Sequence, residues 1–381
     1  DSYQWRESRF GDLHPVLGDG MLNIDGDLHR QLRRLLLPAF HREQVAAVAG
    51  VMVDEGARAA ERLQPGDDID LYGWTREIAL RIALRGLLGL DEGDRRAAPL
   101  ADAFERALAL YGRPFVVQLL RGPGTPHATT RRACAELDVH IRALIDDHRD
   151  AGAEAPGVLG LLLGATDADG SPLDEQLVRD QLVTLLFAGH DTTTATLTFL
   201  MYELGRAPAA RAAARAELQA VLGDRDPRPG ELDGVALPVL ERTLDETLRR
   251  YPAAWVGPRR TVRDTEISGV RVPAGIAVHY SSWATHHLPE LYSDPLAFEP
   301  DRFLPERAAA LPKGAYVPFG GGSRMCLGKR FGQFELRALA AVLLRRFDLE
   351  PDPGDAPRIT TTPTLGPRGG LRFAVRRASS P

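Results

Sequence analysis

Two short stretches of the 381-residue chain hold residue types that ordinary packing does not call for. The first is "FGGGSRMCLG", Phe319 to Gly328, where three consecutive glycines and an arginine stand beside one of only two cysteines. A lone thiolate cannot close a four-ligand zinc site. It can act as a nucleophile, as a haem ligand, or as a small buried apolar residue, which is the usual fate of a single cysteine. The neighbours speak against plain burial. Gly320, Gly321 and Gly322 let the backbone approach something large and flat, and Gly328 does the same beyond Cys326. A helix is expected from there, with Leu327, Phe331, Phe334, Ala338 and Ala341 on one face. Its free N–H groups and the charge of Arg324 would stabilise a thiolate at Cys326.

The second stretch is "AGHDTTTAT", Ala188 to Thr196, in the middle of the longest expected helix, 174–206. Ser171, Pro172 and Asp174 signal the start of that helix. Gly189 weakens it, and Thr192, Thr193 and Thr194 can bond back to carbonyls of the preceding turn. Taken alone this reads as a helix that tolerates threonines. A polar, bendable patch at the centre of a buried helix has a cost, and such costs concentrate at functional sites. His190 reads as a bystander.

Helical periodicity fills 28–63, 74–111, 128–150, 174–206, 208–222 and 237–251, and a further helix follows Gly328. Between 252 and 320 the texture turns to short β-like pieces such as "TEISGVRVPAG" and "IAVHYSS", and "RITTTPTLGPRGGLRFAV" reads as a hairpin. The fold class is therefore mainly α with a small β region. Loops at 122–130 and 151–157 do not look like boundaries, so residues 1–381 are expected to form one domain. A net charge of −5 gives no case for nucleic acid, and two cysteines exclude a disulfide scaffold or a cysteine-held iron–sulfur cluster. No apolar run reaches the length of a membrane span, and a cytoplasmic, membrane-free protein is expected.

Phe319-x-x-Gly322-x-Arg324-x-Cys326-x-Gly328 resembles the haem-binding loop of the cytochrome P450 family. The resemblance implies haem b as cofactor, lying between the long central helix and the cysteine loop with its following helix. It makes Cys326 the iron ligand, places Phe319 beside the sulfur and Arg324 on a haem propionate. "AGHDTT" resembles the family's oxygen-activation segment, in which Thr192 hydrogen-bonds on the oxygen side and Asp191 feeds protons inward. "DGDLHRQLRR" is similar to the haem-edge helix, which assigns His29 and Arg33 to the propionates; these lie four apart, on one helical face. Arg259 matches the family's strand arginine by its spacing to Asp264, with Arg260 as the adjacent alternative. Glu246, Arg249 and Arg302 match a structural Glu–Arg–Arg lock. The resemblance spans essentially the whole chain but departs at its start. The family's opening helices and first strands are expected before "HPVLGDGMLNIDGDLH", and the chain opens on Asp1, so it is expected to be N-terminally incomplete.

The activity implied is that of a monomeric haem-thiolate monooxygenase. It would place one atom of O2 in a small apolar substrate, with electrons from a separate ferredoxin-like donor. Lys329, Arg330, Arg345 and Arg346 are the candidate docking cations, and solvated surface charge is their alternative. Met21–Asn23, Phe187, Ala188, Trp255, Val256 and Thr362–Leu365 are the candidate substrate contacts, under a roof at 112–127. A peroxygenase or a haem isomerase would share the cysteine, and the Asp191–Thr192 pair argues against both. A haem sensor would not need Thr192. A metal phosphohydrolase built on the His190–Asp191 doublet would add His140 and Asp245 and leaves the cysteine loop unexplained.

Overall fold

In the computed structural model, residues 2–6, 13–90, 93–113, 115–150, 157–166, 169–354 and 356–378 are described. They fall into two compact units. The first comprises 1–39, 83–188 and 258–280, and the second 40–82, 189–257 and 281–381. The division falls inside the long helix Glu175–Arg206, between Ala188 and Gly189.

In the first unit, helices Ala97–Leu108 and Pro126–Asp150 pack along one another, and Gly26–Leu36 packs on Gly157–Leu163. Leu100, Ala103, Phe104 and Ala107 recur at steps of three, one and three, and all are fully buried. Strand Tyr3–Gln4 pairs antiparallel with Gly257–Thr261, which also borders Ala277–Tyr280. One short strand, Tyr3–Gln4, thus stands before the segment at His14. "TEISGVRV", expected as a short β-like piece, folds as a hairpin: Thr265–Ile267 and Val270–Val272 pair across Ser268 and Gly269. Both turn residues have positive φ (50° and 81°), the geometry that matches the twist of paired strands.

In the second unit, helices Arg42–Glu61 and Lys329–Arg346 form the main packed pair. Gly56 marks their closest approach, since a Cβ there would lie 2.7 Å from Leu339 Cδ2. Strand Arg372–Arg377 sits between Asp68–Asp70 and Phe347–Pro351, antiparallel to both. The expected C-terminal hairpin is therefore only partly right. Ile359–Thr360 and Gly366–Pro367 do pair, and the chain then leaves them for the larger sheet.

Two expected helices are each two. The helix predicted over 28–63 breaks at Leu37–Phe40, because Pro38 lacks the N–H that would continue it. That over 74–111 is divided into Leu71–Gly86 and Ala97–Leu108; Gly89 between them takes φ +72°. Of the expected loop at 151–157, residues 151–156 lie outside the described residues, and Gly157 opens the helix Gly157–Leu163.

Candidate functional site

In the second unit the cysteine loop is a run of tight turns. Gly320 N donates to Val317 O at 3.0 Å and Met325 N to Gly322 O at 3.2 Å. Cys326 N closes the loop on Phe319 O at 2.9 Å. Gly320 and Gly322 hold φ of +68° and +65°, which side-chain-bearing residues rarely adopt. A Cβ on Gly321 or Gly322 would meet nothing within 4 Å, so that face of the loop is open. Cys326 is exposed, Arg324 half-buried, and Lys329 Nζ stands 5.5 Å from the Phe319 ring. Gly328 precedes the first residue of helix Lys329–Arg346, as its sequence position suggested.

The long helix runs without a break through Gly189. Its start differs slightly from expectation. Asp174 Oδ1 accepts from Gln176 N at 2.9 Å and Leu177 N at 3.2 Å, which makes Asp174 the cap, while Pro172 bridges to Thr166. From Val178 to Leu204 every residue is buried except Ala188, Gly189 and Thr192. Those three share one turn of one face. A Cβ on Gly189 would meet nothing within 4 Å. An otherwise buried helix with one open turn, and a glycine loop with an exposed thiol, would leave room for a flat group that a sulfur could hold.

The threonines divide their bonds. Thr194 Oγ1 donates back to His190 O at 2.8 Å, as the sequence allowed. Thr193 instead donates to Glu335 Oε2 at 3.2 Å, across to helix Lys329–Arg346. Burial pushes the Glu335 carboxyl up to about 8, against a smaller opposing effect of the Thr193 hydroxyl. Asp191 is buried, with Arg76 Nη2 at 3.7 Å and His190 Nδ1 at 3.4 Å from its Oδ1. Arg76 Nε donates to His190 Nε2 at 3.3 Å. His190, read as a bystander, is therefore part of the acid's surroundings. Arg76 and Glu335 had no signal in the sequence, standing 114 and 142 residues from the partners they bond.

The lock behind the loop forms. Arg249 donates to Glu246 through Nε (2.7 Å) and Nη2 (2.9 Å), and Arg302 Nε lies 3.5 Å from Glu246. All three are buried, and Arg249 also reaches the carbonyls of His286 and Ala297. Trp255 Nε1 donates to Thr361 O and Leu365 N to Ala253 O, both at 2.9 Å, which ties the chain around 253–255 to that around 361–365. Arg345 and Arg346 are not free docking cations: both pair with Asp226, at 3.1 and 2.6 Å. Lys329 and Arg330 are exposed. Asp245 takes the Tyr316 hydroxyl at 2.8 Å, and no metal-holding group of three His, Cys, Asp or Glu exists among the described residues.

In the first unit, His29 is buried and Arg33 half-buried on helix Gly26–Leu36. Asp25, at the N-terminal boundary of that helix, makes no capping bond to it and accepts from Trp5 N at 3.0 and 2.8 Å instead. Arg259 lies over the Trp5 ring at 4.2 Å and the Tyr280 ring at 5.6 Å, whereas Arg260 donates to Gly275 O. Neighbouring strand residues face opposite ways, so Arg259 and not Arg260 shares the aromatic side. Met21 N donates to Gln181 Oε1 at 3.0 Å, which fixes the 21–23 segment on the long helix.

Residues 2–371 match the cytochrome P450 family, and the chain belongs to it. It is 35% identical to cyclooctatin synthase of Streptomyces melanosporofaciens over 364 residues, covering 93% of this chain and 78% of that protein. It is 31% identical to pentalenene oxygenase of Streptomyces avermitilis, covering 95% and 81%. Among solved structures, the haem domain of cytochrome P450DA aligns with a TM-score of 0.88 at 26% identity, covering 99% of this chain and 84% of that one. Retinoic acid bound cyanobacterial CYP120A1 aligns with a TM-score of 0.86 at 28% identity, covering the same shares. The protein is a cytochrome P450 monooxygenase, with haem as its cofactor. Among the described residues no helix is long and apolar enough to cross a membrane.

Proposed function

We propose that this enzyme takes O2 and inserts one oxygen atom into a largely apolar cyclic terpenoid, with electrons from a separate ferredoxin-type donor. The observation that carries the reading is the single open turn of the buried helix, at Ala188, Gly189 and Thr192, with Asp191 buried next to it. Haem, when bound, supplies dioxygen activation, which a thiolate ligand promotes by electron donation. Cys326 would hold the iron, and Arg324, His29, Arg33 and Arg259 would neutralise the propionates, whose buried charge requires cations. Phe319 and Gly328 shape the loop around the thiolate.

Reduction of dioxygen consumes two protons, and a dry site offers few donors. Thr192 presents its hydroxyl on the open turn, where it can hold a proton. Asp191, one residue back and shielded from water, resupplies it. The terpenoid class draws support from the relatives, whose names speak of pentalenene and cyclooctat-9-en-7-ol. Apolar Trp255 and Leu365, packed with Phe199 and Tyr251, suit such a substrate. Lys329 and Arg330 are the exposed cations for an acidic donor.

Replacing Thr192 with Ala tests the reading. Product per electron pair consumed should fall on the order of tenfold or more. The haem spectrum should not change. Unchanged coupling would remove Thr192 from the proton path.

A further inference from the structure

Asp191 Oδ1 is buried and accepts no hydrogen bond, yet two nitrogens stand close to it. Arg76 comes from helix Leu71–Gly86 and is one-third exposed, so its guanidinium reaches from solvent to a buried carboxylate. His190 is fully buried between the two. Its Nε2 accepts from Arg76 Nε, so a neutral ring carries its proton on Nδ1, the nitrogen that faces Asp191. Burial is the main reason its pKa falls to about 4, and the Arg76 charge lowers it further against the pull of Asp191. Tyr72, one turn before Arg76, is the other titratable neighbour, and burial and the Asp191 charge together keep its phenol protonated.

We infer that Arg76 and His190 are positioning residues for proton delivery. Arg76 sets a cation 3.7 Å from Asp191 Oδ1, and neutral His190 turns its Nδ1–H towards the same oxygen at 3.4 Å, so that together they hold the carboxyl in one orientation. The inference rests on the reading of Asp191 as the proton donor behind Thr192. Neither residue touches cofactor or substrate in this scheme. A charged His190 would not serve, because it would lose its acceptor for Arg76. A leucine there would leave both Arg76 Nε–H and Asp191 Oδ1 without their neighbour, whereas a glutamine keeps one acceptor and one donor.

The test uses the haem-loaded protein. In the diamagnetic ferrous–CO form with 15N-labelled histidine, the His190 signal, assigned by its loss in His190→Gln, should show a neutral ring protonated on Nδ1. His190→Leu and Arg76→Met should each lower product per electron pair three- to tenfold and raise the solvent isotope effect. His190→Gln should recover most of the coupling. All three should keep the wild-type CO band and substrate affinity. An Nε2-protonated or cationic ring, or full coupling in both His190→Leu and Arg76→Met, would overturn the inference. Asp191→Asn separates the two layers. If it uncouples while Arg76→Met and His190→Leu do not, the positioning role fails and the donor role stands. If it couples normally, the donor role fails and the positioning role falls with it.

Discussion

Thr192 and Thr193 are adjacent and have opposite surroundings, and no spacing rule separates them. Thr192 faces the open turn, while Thr193 is buried on Glu335. Thr192 is legible in the sequence because a family motif singles it out, and Glu335 is not, because its contact with Thr193 spans 142 residues. His286 was missed for the same reason. It is fully buried, its Nε2 accepts from Val317 N at 2.9 Å, and Nδ1–H donates to Arg249 O at 3.1 Å. Burial lowers its pKa to about 4. It therefore ties the residue after Tyr316, at the foot of the cysteine loop, to the helix that carries Glu246 and Arg249. His286→Leu leaves a buried N–H and a buried carbonyl without partners and should cost about 2–3 kcal/mol. Urea unfolding of the haem-loaded protein measures it, and a change below about 0.5 kcal/mol would contradict the assignment.

Helices were the most legible elements. The predicted 208–222 matches Pro208–Leu222, and 174–206 is one residue longer than Glu175–Arg206. Proline at the start and glycine after the end frame the first, and an aspartate caps the second. Periodicity fails where two helices share a hydrophobic texture across a short break, as at Pro38. The strand Phe347–Pro351 escaped notice because it follows its helix without a turn signal. Gly205 shows how tightly that strand fits. A Cβ there would lie 2.4 Å from Pro351 Cδ and 2.9 Å from Leu349 O, and a backbone carbonyl cannot step aside as a side chain can. Gly205→Ala gains helix propensity and should nonetheless destabilise by about 1–3 kcal/mol through overpacking. A melting temperature at or above wild type would show that the strand can move.

For the whole molecule, buried titratable groups set opposed pH limits. Glu335 is held at about 8 and Asp245 at about 7, against ordinary values of 4.5 and 3.8. Both are raised chiefly by burial, so the unfolded chain gives up these protons first, and stability falls as pH rises from the ordinary values towards the folded ones. His190 and His286 work the other way. Their folded values near 4 lie below the usual 6.5, so their stability is complete above 6.5 and is lost as pH falls towards 4. Glu335→Gln keeps an acceptor for Thr193 and removes the titration. Its melting temperature should therefore decline less than wild type between about pH 5 and pH 8. Parallel curves would mean that Glu335 does not carry a raised pKa.

The central claim is that Cys326 is the thiolate ligand of the haem iron, and the carbon monoxide difference spectrum tests it most directly. The reduced protein with carbon monoxide should show the strongly red-shifted Soret band of thiolate ligation, and Cys326→Ser should lose it. A wild-type band typical of histidine ligation, or a red-shifted band that survives in Cys326→Ser, would contradict the account.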